Sequence, residues 1–170
     1  MADKSRDFFP ESIDGQDFAG SYLTESPAET HKVAAGLAKH LNSGDVLFLH
    51  GDLGAGKTEF VRGLAHALGS SDEVQSPSFG LVHEYTCQCP ETGRRKMLYH
   101  LDFYRLENAA QIEAAGLTPY FEPDGISVIE WPTRWEGRQY FNPVQVTLKI
   151  IGGTGRRIEI GLRGNAGGAK

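Results

Sequence analysis

Apolar residues along this chain follow two spacings, a stripe repeating near every fourth position and short unbroken runs. Val33, Leu37 and Leu41 recur at intervals of four, which predicts a helix with one buried face. Ser26 opens it as N-cap, Pro27 takes the first helical position and Glu29 the third. Asn42-Ser43-Gly44 closes it, and Asp45 to His50 follows as a short apolar strand. Phe60, Val61, Leu64, Ala65 and Leu68 predict a second helix, stopped by Gly69. Phe79 to Thr86 and Lys96 to Phe103 read as the strands of a hairpin around a loop containing Pro90 and Gly93. Asn108 to Ala115 reads as a short helix ended by Gly116, and Ile126 to Trp131 as a buried strand between Asp124-Gly125 and Pro132. Val144 to Ile151 and Arg157 to Leu162 flank Gly152-Gly153-Thr154-Gly155, a closing hairpin.

That order predicts an α/β domain, a mixed β-sheet flanked by helices with antiparallel hairpin additions. Residues 1–25 are polar, with Phe8, Phe9, Phe18 and Tyr22 interspersed, and read as an extension that is partly disordered or forms an edge strand. Residues 26–163 make up the domain, and the Gly/Ala-rich stretch 164–170 reads as a flexible tail. Composition changes this picture little. At 170 residues and 39% hydrophobic content, one core and one domain are expected. A net charge of −5 supplies no overall basic field for nucleic acid. Arg94-Arg95-Lys96 and Arg156-Arg157 are local basic clusters, read as solvated hairpins. Cys87 and Cys89 are too few for a structural zinc and poorly spaced for a disulfide, so reduced thiols in the cytoplasm are expected. No run approaches the ~18 apolar residues of a membrane span, and the first ten positions carry charges where a signal peptide needs apolar residues.

The chemistry is carried by Gly51-Asp52-Leu53-Gly54-Ala55-Gly56-Lys57-Thr58, a match to GxxxxGK[ST] between the first strand and the second helix. Backbone N–H groups of such a loop wrap a nucleotide's phosphates, aided by the positive end of the helix behind it. The sheet class is therefore P-loop NTPase-like. Lys57 would reach the β and γ phosphates, Thr58 would hold Mg²⁺, and Glu59 extends the nucleotide-binding run. Two predicted strands end on acids, one on Asp102 and the other on Glu130. Strand ends of an open α/β sheet border the ligand crevice. Asp102 is assigned to Mg²⁺, directly or through water, and Glu130 to the metal shell or to the attacking water. Ser76 and Ser78 would sense the γ-phosphate if their loop folds over the site. His100 either hydrogen-bonds the site or packs, and Arg105 meets a phosphate, a partner or a surface acid. Trp131 offers its face to adenine, to a partner or to the core. The guanine-reading motifs of G proteins are missing after the loop, which leaves ATP. Hydrolysis is the leading activity. The alternative is a small-molecule kinase with Arg94-Arg95-Lys96 as its lid.

The loop, Arg62-Gly63-Leu64, Ser76-Pro77-Ser78-Phe79 with Leu81-Val82-His83-Glu84-Tyr85, His100 to Leu106 and Val128-Ile129-Glu130-Trp131-Pro132 together resemble the bacterial TsaE (YjeE) family. The resemblance spans about residues 26 to 162. It implies a small Mg²⁺-dependent ATPase, feeble alone, that acts with TsaD and TsaB in threonylcarbamoyl modification of adenosine 37 in tRNAs reading ANN codons. It implies that ATP binding drives assembly with that pair, that hydrolysis resets it, and that tRNA is met only through the complex. By matching position, Gly51 to Thr58 bind phosphates, Thr58 and Asp102 serve Mg²⁺, Glu130 supports hydrolysis, and Trp131 lies beside them. Ser78 departs from the family's usual Thr, keeping the hydroxyl but losing the stiffness at χ1.

Overall fold

The structure, a computed structural model, describes residues 18–89, 92–135 and 142–161. The chain forms β1 (Gly20–Thr24), α1 (Pro27–Ala38), β2 (Val46–His50), α2 (Lys57–Ala67), β3 (Val82–Gln88), β4 (Arg95–Asp102), α3 (Ala109–Ala114), β5 (Ile126–Glu130), β6 (Val144–Gly152) and β7 (Gly155–Gly161). Two 3₁₀ turns, Thr118–Phe121 and Pro132–Trp135, add to these. Seven strands make one sheet in the order β1-β7-β6-β2-β5-β4-β3. The inner four, β6-β2-β5-β4, run parallel, and β3, β7 and β1 are added antiparallel at the two sides. This is the expected mixed sheet with hairpin additions, and the expected P-loop NTPase-like α/β class.

Strand β2 is apolar on both faces because both faces are covered. Leu47 and Leu49 join the core beneath α1 and α2, while Val46 and Phe48 join a second core with α3 and the 3₁₀ turns. Each such side chain contributes about 1.5–3 kcal/mol by leaving water. The two helices above the sheet approach closely, since a Cβ on Gly63 would lie 2.6 Å from His31 Cα.

Local signals placed most boundaries. Ser26 Oγ accepts from Glu29 N, and Glu29 Oε2 accepts from Glu25 N, so α1 starts as expected. It stops three residues earlier than the apolar stripe suggested. After Ala38 the bonds tighten, with His40 N donating to Leu37 O and Leu41 N to Ala38 O, which still turns Leu41 into the core. Strand β3 begins at Val82 rather than Phe79. Leu81 takes φ 65° and donates its N–H to Pro77 O, closing a turn that keeps Phe79 out of the ladder and 87% exposed. Phe18 is buried and stacks on Tyr22 at 5.1 Å, and β1 forms the sheet edge beside β7. Phe8, Phe9, Pro90, Leu162 and the tail 164–170 lie outside the described residues.

Candidate functional site

Strand β2 delivers the chain into the glycine loop, and α2 carries it away. Gly51 has φ 148°, and a Cβ there would lie 2.8 Å from Leu148 O. Gly56 is the left-handed N-cap of α2 at φ 99°, and no side chain caps the helix. The first-turn amides of α2 are thus left to an anionic ligand, an arrangement that fits phosphate. Lys57 is buried beneath the loop, its Nζ donating to Gly51 O at 2.7 Å and Asp52 O at 3.0 Å. The same ammonium sits 4.8 Å from the Trp131 ring centre. Burial lowers the Lys57 pKa, while the charges of Glu130, Asp102 and Asp52 act in the opposite sense.

The acids arrive by register. Asp102 pairs with Glu130 across β4 and β5, and Glu130 with Leu49 of β2. Side chains alternate along a strand, so His100 and Asp102 share the face of Leu98, and Glu130 that of Val128. Leu98 and Val128 belong to the core beneath α1 and α2, so both acids lie on the side where α2 begins. Ser78 Oγ donates to Asp102 Oδ2 at 2.7 Å and lies 2.7 Å from Ser76 Oγ, while Tyr104 N donates to Asp102 Oδ1 at 2.9 Å. His100 Nε2 meets Glu130 Oε1 at 2.8 Å, both groups buried. With His100 behind Glu130, Asp102, Glu130, Ser76, Ser78 and Tyr104 border a cleft of about 320 Å³. Its donors suit Mg²⁺, a hard cation that binds one or two carboxylates and completes its shell with phosphate oxygens and water. Among the described residues no cluster of three or more His, Cys, Asp or Glu forms a self-sufficient metal site.

Leu53, Gly54, Gly56, Lys57, Thr58, Glu59, Asp102, Glu130 and Trp131 all line this cleft, as do Ser76 and Ser78. Gly51 and Asp52 border a smaller neighbouring one of about 150 Å³ beside Trp131. Ala55 is drawn into the core, with its N–H on Asp52 O. Glu59 has both oxygens engaged, Oε2 by His31 at 2.7 Å and Oε1 by Arg62. Burial pushes its pKa up, but Arg62 and His31 outweigh that and hold it below the usual value. Trp131 sits at φ 56°, a left-handed conformation costly for its side chain, and packs against Tyr104 at 5.1 Å. Its ring lies over Lys57. Arg105 lies 4.1 Å over the exposed Phe79 ring. Sequence reasoning missed Tyr104 and Arg156 as cleft residues. Arg156 was read as hairpin surface, because nothing local marks a contact spanning a hundred residues of chain.

Residues 24–158 match the family model described as threonylcarbamoyl adenosine biosynthesis protein TsaE. The chain belongs to the TsaE family. The tRNA threonylcarbamoyladenosine biosynthesis protein TsaE of Bacillus subtilis is 37% identical over 144 residues, 85% of this chain and 86% of that protein. The TsaE of Treponema pallidum is 32% identical over 138 residues, 81% of this chain and 97% of its own length. That of Haemophilus influenzae is 39% identical over 101 residues, 59% of this chain and 60% of its own length. The crystal structure of Bacillus subtilis YdiB superposes with a TM-score of 0.68 at 33% identity, covering 88% of this chain and 90% of that one. TsaE family membership ties the chain to threonylcarbamoyladenosine biosynthesis. No described helix is long and apolar enough to cross a membrane.

Proposed function

We propose that this TsaE-family chain is a Mg²⁺-dependent ATP hydrolase that works with TsaD- and TsaB-like proteins in threonylcarbamoyl modification of adenosine 37. In this reading tRNA is met through the complex, in the cytoplasm. The observation that carries it is the convergence of uncapped α2 amides, Lys57, Asp102 and Glu130 on one cleft. The loop amides and Lys57 would hold the triphosphate, Lys57 exchanging its carbonyl partners Gly51 and Asp52 for phosphate oxygens. Thr58 and Asp102 would hold Mg²⁺, which when bound neutralises charge on the phosphate oxygens. Glu130, braced by His100, would orient a water toward the γ-phosphorus. The water oxygen bonds to phosphorus as the bond to the bridging oxygen breaks, giving ADP and inorganic phosphate. Ser78 on Asp102 would link the state of the site to the exposed segment around Phe79, a surface suited to reporting nucleotide to a partner.

One observation favours hydrolysis over the kinase alternative. Arg94 and Arg95 lie at the opposite end of β4 from Asp102, roughly 23 Å away at about 3.3 Å per residue. The test is ATP binding and phosphate release by the purified chain, alone and with its TsaD–TsaB pair. Glu130→Gln is expected to bind ATP and lose hydrolysis, and Lys57→Ala to lose ATP binding. Wild-type turnover by Glu130→Gln, or label passed to a metabolite, would refute the assignment.

A further inference from the structure

The β6–β7 hairpin packs on the glycine loop through Leu148 and grips it with the hydrogen bonds of Arg156. Its Nε donates to Ala55 O at 2.9 Å and its Nη2 to Gly54 O at 3.1 Å, two successive carbonyls of the loop. Nη1 is held at the hairpin's own turn, on Gly155 O at 2.8 Å and Gly153 O at 3.2 Å. All three guanidinium nitrogens are therefore engaged, and the side chain is fixed between two backbones. We propose that Arg156 is a positioning residue for phosphate binding, a brace that holds the loop in its phosphate-receiving shape before the nucleotide arrives. The proposal rests on the reading of the cleft as an ATP site.

The physical argument starts from the peptide plane. In a trans peptide the C=O of one residue and the N–H of the next point in opposite directions, and the plane turns as a unit. Holding Ala55 O on Arg156 therefore fixes the direction in which the Gly56 N–H points. Glycine planes on either side of Ala55 would otherwise rotate easily, because Gly54 and Gly56 lack side chains to restrict them. Binding phosphate to a mobile loop costs the entropy of ordering it, and a brace removes that cost beforehand. The choice of arginine also matters. A guanidinium spans two carbonyls in one plane, whereas an ammonium is a single point of charge. Charge adds a second contribution. Arg156 borders the cleft near the positive end of α2, so its charge opposes the helix dipole until an anion arrives.

The same hairpin also makes contacts that do not involve the glycine loop. Arg156 pairs with Thr24 across β7 and β1, and Thr154 Oγ1 donates to Glu25 O at 2.6 Å beside the α1 N-cap. This separates two effects in one experiment. The full-length chain is titrated calorimetrically with Mg²⁺ and a non-hydrolysable ATP analogue, as wild type, Arg156→Ala, Arg156→Lys and Thr154→Val. Arg156→Ala and Arg156→Lys are each expected to raise Kd by about ten- to a hundredfold with the number of sites per chain unchanged. Thr154→Val is expected to bind as wild type. In steady-state hydrolysis KM for ATP rises with Kd, while kcat stays within about threefold, because Arg156 touches no reacting atom. A merely structural role would lower the number of competent sites and leave Kd alone. That result overturns the proposal, as would full affinity in Arg156→Lys or an equal loss in Thr154→Val. If Arg156→Ala does not fold, Arg156→Lys carries the same comparison. Failure of the wild type to bind the analogue would instead overturn the ATP-site reading itself.

Discussion

Cutting the bond between His100 and Glu130 is a demanding test of how this site is held. The two side chains are 0% and 5% exposed, and Nε2 donates to Oε1 at 2.8 Å. Among the described residues His100 Nδ1 is buried without a hydrogen-bond partner, so there the ring's polar contact is the one to Glu130. A hydrogen bond to a charged group is worth about 1.5–3 kcal/mol net, and a buried charge stripped of its partner costs about 3–5 kcal/mol. His100→Leu is therefore expected to destabilise the fold by about 2–4 kcal/mol. In a domain of this size each kcal/mol lowers Tm by about 2–4 °C. His100→Gln keeps a donor at the Nε2 position and should recover much of the loss. The assay is urea unfolding followed by circular dichroism, run as a double-mutant cycle with Glu130→Gln. The expected coupling is about 1.5–3 kcal/mol, because the amide introduced by Glu130→Gln carries no charge in need of a partner. A coupling below about 0.5 kcal/mol would refute the claim that His100 braces Glu130. Hydrolysis adds a second readout, since His100 acts through Glu130: kcat should fall while KM for ATP holds.

Ser78→Ala removes the hydroxyl on Asp102 and should slow phosphate release about tenfold, with Ser78→Thr near wild type; wild-type rates in the alanine variant would remove Ser78 from the site. Burial pushes the Cys87 thiol up to about 11, so at pH 8 iodoacetamide should label Cys89 well before Cys87, as read by mass spectrometry. Because that raised value keeps the thiol neutral in the fold, its stabilising effect is present below pH 9.0 and lost as pH climbs toward 11; unfolding midpoints flat across that window in wild type against Cys87→Ala would contradict it. Leu64→Ala, a fully buried position of α2 over the sheet, should cost about 2–5 kcal/mol in urea unfolding, and a loss under about 1 kcal/mol would mean the α2 interface is looser than the structure shows.

Most of the fold was legible because its signals are local. The α1 N-cap, the glycine stop after α2 and the turn between β6 and β7 are each written within a few residues, and each formed where expected. The misjudged boundaries lie where a tight turn replaces the element that apolar spacing suggests. The turn before β3 exists because Leu81 bonds back to Pro77 while Ser78 reaches Asp102, which apolar spacing does not encode. α1 ends early because its last apolar residue, Leu41, reaches the core through a tightened turn instead of another helical one.

The site divides the same way. The sequence by itself determined the glycine loop, its lysine and hydroxyl, and the two strand-end acids, because the first is a continuous motif and a strand's last residue must lie at the sheet's edge. Tertiary structure alone decided that Asp102 and Glu130 are register partners on the α2 side, that His100 braces one and Ser78 the other, and that Trp131 covers Lys57. It also decided that Arg156, 101 residues from Ala55, grips the loop. Period and motif act over a few residues of backbone, whereas register, sheet order and side-chain reach are settled only when distant segments pack.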